Sequence, residues 1–123
     1  MERNILVIDD DVEMTMVVED ILRMHNYEVA VAHDGLQGIE RSNAQRIDLI
    51  LLDVRMPLFS GFWFCDAFKR RSRTRHVPIV MISSLAGEET RQRALEVGAV
   101  AFLSKPFRAQ ELVDTVARAI HPN

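Results

Sequence analysis

The sequence predicts an α/β fold, a five-stranded parallel sheet flanked by five helices. Three observations carry this expectation. Short runs rich in Val, Ile and Leu recur at Ile5–Ile8, Val29–Ala32, Leu49–Leu52, Ile79–Ile82 and Val100–Leu103. Each is separated from the next by a segment long enough for a helix, an alternation that favours parallel strands. Four of the runs show no polar alternation, as expected of strands covered on both faces. With 123 residues, 48% of them hydrophobic, the chain suits one domain spanning 1–123 and is too short for two ordinary ones.

Taken in order, Ile5–Ile8 opens the sheet and runs into Asp9-Asp10-Asp11. Met14, Val17, Val18, Ile21 and Leu22 then fall at i, i+3, i+4, i+7 and i+8, one face of a first helix, with Asp11 placed to cap its start. Val29–Ala32 is the weakest strand and is expected at a sheet edge. Gly35 and Gly38 follow it, but two glycines do not make a phosphate-cradling loop, and nucleotide-binding readings fail on that ground. Leu49–Leu52 leads into Asp53. The third helix is expected to bury Phe64, Cys65 and Phe68; at about 100° per residue, Trp63 then points away and its indole lies near solvent. A partner contact and a packed crevice are both open to it.

Lys69-Arg70-Arg71-Ser72-Arg73-Thr74-Arg75-His76 is the only dense basic run. It reads as a solvated helix end whose cations complement the negative pole of the helix dipole, with docking of a partner or nucleic acid as the rival. Ile79–Ile82 ends at Ser83-Ser84. A fourth helix over Glu88 to Val97 carries few apolar residues, stops at Gly98 in a left-handed cap, and is expected to be lightly anchored and mobile. Ala101-Phe102-Leu103-Ser104 runs into Lys105. The last helix shows an apolar stripe of Leu112, Val113, Val116 and Ile120, with Glu111 and Asp114 near its positive end. His121-Pro122-Asn123 reads equally as a simple terminus or as the start of a connection.

Fifteen basic against eighteen acidic side chains give a formal charge of −3, which does not suggest a general nucleic-acid binder. One cysteine, Cys65, cannot form an internal disulfide and fits a reducing compartment. No stretch approaches about 18 consecutive apolar residues, so no membrane contact is expected and the reading is a cytoplasmic protein. The four histidines lack metal-ligand spacing.

Parallel strands present ligands at their carboxyl ends. Asp9, Asp10, Asp53, Ser83 and Lys105 all follow apolar runs, so they are expected on one sheet edge. Hard carboxylate oxygens suit Mg²⁺, and three of them close together repel one another unless a cation sits between them. A carboxylate can attack phosphorus, Lys105 supplies a mobile positive charge, and Ser83 can donate to a phosphoryl oxygen. Taken singly, each aspartate is as well explained as a turn or helix cap. Their shared position after apolar runs is what makes the set specific.

These residues resemble the receiver domain of two-component response regulators, chemotaxis regulators included. The resemblance covers nearly the whole chain through Ile5-Leu6-Val7-Ile8-Asp9-Asp10, Leu49 to Asp53 followed by Val54-Arg55-Met56-Pro57 and Gly61, Ile82-Ser83 after Pro78, and Lys105-Pro106-Phe107. It implies a flavodoxin-like three-layer sandwich with strand order 2-1-3-4-5. It implies that Asp53 accepts a phosphoryl group from a sensor histidine kinase or a histidine phosphotransfer protein. Mg²⁺ would be bound by Asp10, Asp53 and the backbone carbonyl of Arg55, with Asp9 acting mainly through a metal-bound water. Lys105 would pair with the acyl phosphate, and the Lys105-Pro106 bond would be cis. Ser83 and Phe102 would form the switch, changing the surface of the fourth helix, fifth strand and fifth helix that signals to a downstream effector. A homodimer through that surface is among the partners the resemblance allows; direct nucleic-acid binding by this domain is not.

Such a domain is a phosphoacceptor that catalyses only its own phosphorylation and dephosphorylation. Arg55 and Leu85 would flank the phosphoryl group, and bulky Leu85 is expected to obstruct the water that removes it. Phe102 lacks the hydroxyl of the tyrosine frequent at its position, so its signal lies in ring placement. A haloacid dehalogenase-type phosphohydrolase is the enzymatic rival, but Arg55 stands where that family has its acid/base aspartate. A phosphate-independent interaction module is the third class, and the complete set of five residues argues against it.

Overall fold

The computed structural model describes residues 2–56, 59–85 and 87–121. Pro57, part of the expected motif, lies outside them, as do Pro122 and Asn123 of the terminal tripeptide. Strands β1 (Arg3–Ile8), β2 (Tyr27–Ala32), β3 (Leu49–Asp53), β4 (Ile79–Ser83) and β5 (Ala101–Ser104) alternate with helices α1 (Val12–Met24), α2 (Gly35–Ala44), α3 (Gly61–Arg70), α4 (Glu88–Glu96) and α5 (Ala109–Ile120). All pairings are parallel, in the order β2-β1-β3-β4-β5. The least apolar run, β2, is at an edge as expected.

Two apolar layers cover the sheet. Leu6, Ile8, Ile50, Leu52, Ile79 and Met81 face one way, onto Phe62, Phe64, Cys65 and Phe68 of α3 and Ala94 of α4. Ile5, Val7, Leu49, Leu51, Val80 and Ile82 face the other way, onto Val18 and Leu22 of α1 and Leu112 and Val116 of α5. The period-2 alternation of a strand is therefore present, hidden because both faces are apolar. This is the three-layer, flavodoxin-like arrangement that the resemblance implied.

Local signals set the helix starts. Asp11 accepts from Met14 N at 3.1 Å, Asp34 from Gln37 N at 2.8 Å and Ser60 from Trp63 N at 3.4 Å, each an N-cap satisfying a first-turn donor. Gly98 takes the positive φ of 105° expected of a left-handed cap after α4. Gly35 and Gly38 serve packing: a Cβ on Gly35 would collide with the Phe64 ring, and one on Gly38 with Ile8.

Two expectations are corrected. Val17, placed on the buried stripe of α1, is 54% exposed, and Thr15 is buried in its stead. The hydroxyl of Thr15 donates to Val12 O at 2.7 Å, so it enters the core with its polar group satisfied. The seam thus runs through Thr15, Val18 and Leu22, at i, i+3 and i+7. The basic run, in turn, is not simply a solvated helix end. Lys69 Nζ donates to Val77 O at 2.7 Å, Arg73 Nε to Ser42 O at 2.6 Å and Arg71 Nη2 to Asn43 Oδ1 at 2.7 Å. These cations tie the α3–β4 connection to itself and to the end of α2.

Trp63 is 51% exposed, stacked on Phe59 at 4.8 Å between ring centres and edge-on to Phe64 at 5.0 Å. The indole is at the surface, as expected, and one of its faces is packed. No helix among the described residues is long and apolar enough to cross a membrane.

Candidate phosphoacceptor site

Strand register assembles the site. Ile8 pairs with Leu52 and Asp53 with Ile82, so Asp9 and Asp53 leave adjacent strands at the same height. Ser83 pairs with Ser104, which sets Lys105 one residue beyond, where its N–H donates to Ser83 O at 2.8 Å. The Lys105-Pro106 peptide bond is cis. Gly61 N donates to Val54 O at 2.8 Å, folding the start of α3 against the segment that follows Asp53.

The resulting cavity, about 660 Å³, is lined by Asp9, Asp10, Asp53, Arg55, Leu85 and Lys105, with Met56, Ser60, Phe62, Ser84 and Arg93 among the rest of its wall. Oxygens of Asp9, Asp10 and Asp53 lie within 4.8 Å of one another. Asp9 and Asp53 are buried and Asp10 is exposed. Lys105 Nζ donates to Asp9 Oδ2 at 2.8 Å and stands 3.3 Å from Asp53 Oδ1. The other oxygen of Asp9 accepts from Asp11 N at 3.0 Å.

Burial pushes the Asp53 carboxyl up to about 6, and repulsion from Asp9 adds to it; the nearby ammonium of Lys105 pulls the other way and does not win. The Lys105 ammonium is itself held above its ordinary range: burial opposes the charge, but its hydrogen bond to Asp9 and the charge of Asp53 outweigh that cost. Three close carboxylates sharing one ammonium are short of positive charge, and their hard oxygens are the donors that Mg²⁺ takes alongside retained waters. The residues fit such an ion.

Ser83 is buried behind the cavity wall, its Oγ accepting from Leu85 N at 2.9 Å. Phe102 is half-buried against the α3 side of the core, with the guanidinium carbon of Arg91 5.6 Å from its ring centre. Sequence reasoning missed Phe62 and Arg93 as parts of the cavity. Phe62 follows Gly61 and could have been traced from the turn; Arg93 could not, because only the seating of α4 on the sheet decides where its arginines fall.

A larger cleft of about 690 Å³ lies at the opposite pole, lined by Arg3, Arg46, Asp48, Lys69, His76 and Arg118 among others. It gathers cations but brings no nucleophile and metal ligands together. The acidic cavity is therefore where the chemistry is sought.

Comparison with known proteins agrees. A family model described as the response regulator receiver domain matches residues 5–117. The transcriptional regulatory protein CpxR of Escherichia coli K12 is 40% identical over 116 residues, covering 94% of this chain and 48% of its own length. The chain thus spans about half the length of the curated relatives of that kind. The chemotaxis protein CheY4 of Vibrio cholerae superposes with a TM-score of 0.92 at 32% identity, covering 97% of this chain and 99% of that one. The receiver domain of sensor histidine kinase PA1611 from Pseudomonas aeruginosa PAO1, solved with a magnesium ion coordinated in its active site cleft, superposes with a TM-score of 0.89 at 30% identity, covering 98% and 99%. The chain belongs to the response regulator receiver domain family, the signalling module of two-component systems.

Proposed function

We propose that Asp53 is the phosphoacceptor of this receiver, taking the group from a histidine of a sensor kinase or phosphotransfer protein. The observation that carries the reading is the meeting of three carboxylates and an ammonium in one cavity, with Lys105 Nζ 3.3 Å from Asp53 Oδ1. An oxygen of Asp53 forms the bond to phosphorus as the phosphorus–nitrogen bond to the donor imidazole breaks, and that electron pair returns to the ring. Asp9, Asp10, Asp53 and the backbone carbonyl of Arg55 are the groups that would hold Mg²⁺. When bound, the ion offsets the charge on the phosphoryl oxygens.

Lys105 orients Asp9 in the resting state and pairs with the phosphoryl group in the modified one. The added charge of about −1.5 to −2 draws in the Ser83 hydroxyl, and Phe102 turns into the space that Ser83 vacates. Two existing states of the α4-β5-α5 surface are thereby rebalanced. That surface then signals to a downstream effector or to a second copy of the chain, without this domain touching nucleic acid itself. Leu85, on the cavity wall, slows removal of the group by obstructing water. The same reading assigns residues 1–123 to one receiver unit working in the cytoplasm.

The test is labelling by radioactive acetyl phosphate in Mg²⁺. The native protein should incorporate the phosphoryl group and Asp53→Asn should not; full labelling of that variant at another aspartate overturns the assignment.

A further inference from the structure

One cation at the mouth of the acidic cavity has no task in the mechanism above. Arg93 extends from α4 to the cavity wall, with its guanidinium carbon 4.5 Å from the ring centre of Phe62, another wall residue. The ammonium of Lys105 is paired with the carboxylates of Asp9 and Asp53, whereas Arg93 rests on an aromatic face. That contact spans α3 and α4. It matters mechanically because Ala94 is the only buried residue of α4, so the helix is seated by few apolar contacts.

We propose that Arg93 is a phosphoryl-binding residue held in reserve: when Asp53 is modified, its guanidinium leaves Phe62, pairs with a phosphoryl oxygen and carries α4 with it. This rests on the reading of Asp53 as acceptor. Charge gives the direction. Against a dianionic phosphoryl group and the carboxylates of Asp9 and Asp10, a divalent ion and Lys105 fall one positive charge short; Arg55 and Arg93 are the further cations lining the cavity, and of the two Arg93 is the one that α4 carries. Before modification the ion and Lys105 already balance the three carboxylates in formal charge, so Arg93 gains little by moving inward. An exposed guanidinium over an aromatic ring is weakly held, whereas a charge-assisted, bidentate bond to phosphate is among the stronger polar contacts a side chain makes. The phosphoryl group therefore competes with Phe62 for the same arginine and takes it.

The experiment compares the native protein with Arg93→Ala and Arg93→Lys, measuring Mg²⁺ affinity alone and then the affinity of beryllofluoride, a phosphoryl mimic, at saturating Mg²⁺. Removing a cation should leave Mg²⁺ binding unchanged or tighter in Arg93→Ala, while beryllofluoride binding weakens roughly five- to tenfold. Arg93→Lys should recover part of the loss. Beryllofluoride should alter amide exchange in α4 of the native protein and much less in Arg93→Ala. Beryllofluoride affinity within twofold of native in Arg93→Ala would overturn the proposal, as would a parallel fall in both affinities, which signals general damage to the cavity. Failure of the underlying reading looks different: the native protein itself would then bind no beryllofluoride.

Discussion

Lys105 Nζ stands 3.3 Å from Oδ1 of Asp53 while donating at 2.8 Å to Oδ2 of Asp9, so one ammonium serves two buried carboxylates. Its charge is thereby divided, and Asp53 keeps a carboxyl raised to about 6 from the ordinary 3.8. A raised pKa is typical of carboxyl groups set aside for chemistry, because the structure tolerates an ionised form it does not favour.

That tolerance has a measurable cost. The folded chain binds the Asp53 proton more tightly than the unfolded chain does, so stability falls as pH rises from about 4 through about 6 and levels above it. Asp53→Asn removes this penalty. Without divalent ions it should be more stable than the native protein at pH 7.5 by about 1–2 kcal/mol, discounted for solvent screening, and the gap should close near pH 4. Denaturant titrations at several pH values check this, and Mg²⁺ should narrow the gap at neutral pH by stabilising the native carboxylates. A variant no more stable than native at pH 7.5 would contradict the raised carboxyl.

Gly61 tests how tightly the site is framed. A Cβ there would collide with the backbone carbonyl oxygen of Asp53, an atom of the acceptor's own residue and not the yielding end of a side chain. Gly61→Ala should cost about 1–3 kcal/mol by overpacking. Because it displaces the backbone of Asp53, it should also weaken Mg²⁺ binding. Urea denaturation with an Mg²⁺ titration separates the two effects, and an unaltered ion affinity would show that the loop yields elsewhere.

Cys65 offers a check on core integrity. The thiol is fully buried, donates to Val97 O at 3.5 Å, and is pushed by burial up to about 11. A thiol so protonated and enclosed is a poor nucleophile at pH 8. Ellman's reagent should leave the native protein unmodified and react only as fast as the chain opens, so rate and denaturant concentration should rise together. Rapid native-state labelling would mean that α3 lifts from the sheet far more easily than its packing implies.

The alternation of apolar runs and the aspartates that end them could be read without coordinates, because strand direction places every carboxyl end on one edge. The seam of α1 could not, since hydrophobicity ranks Val17 above Thr15 and says nothing of a hydroxyl that satisfies itself on Val12 O. The cations of Lys69 and Arg73 looked solvent-directed for a related reason: their acceptors, Val77 O and Ser42 O among them, are backbone carbonyls presented only by the particular path of the chain. Arg93 was beyond reach altogether. Its neighbours Phe62 and the aspartates come from distant stretches of chain, and no periodicity within α4 encodes them.

Seating α4 through Ala94 alone leaves the rest of that helix under little obligation to the interior. Substitutions along its outer face can therefore accumulate without unsettling the sheet, while the buried aspartates next door admit almost none. Divergence among domains of this kind would concentrate there, allowing new listeners to be acquired around an unchanged trigger.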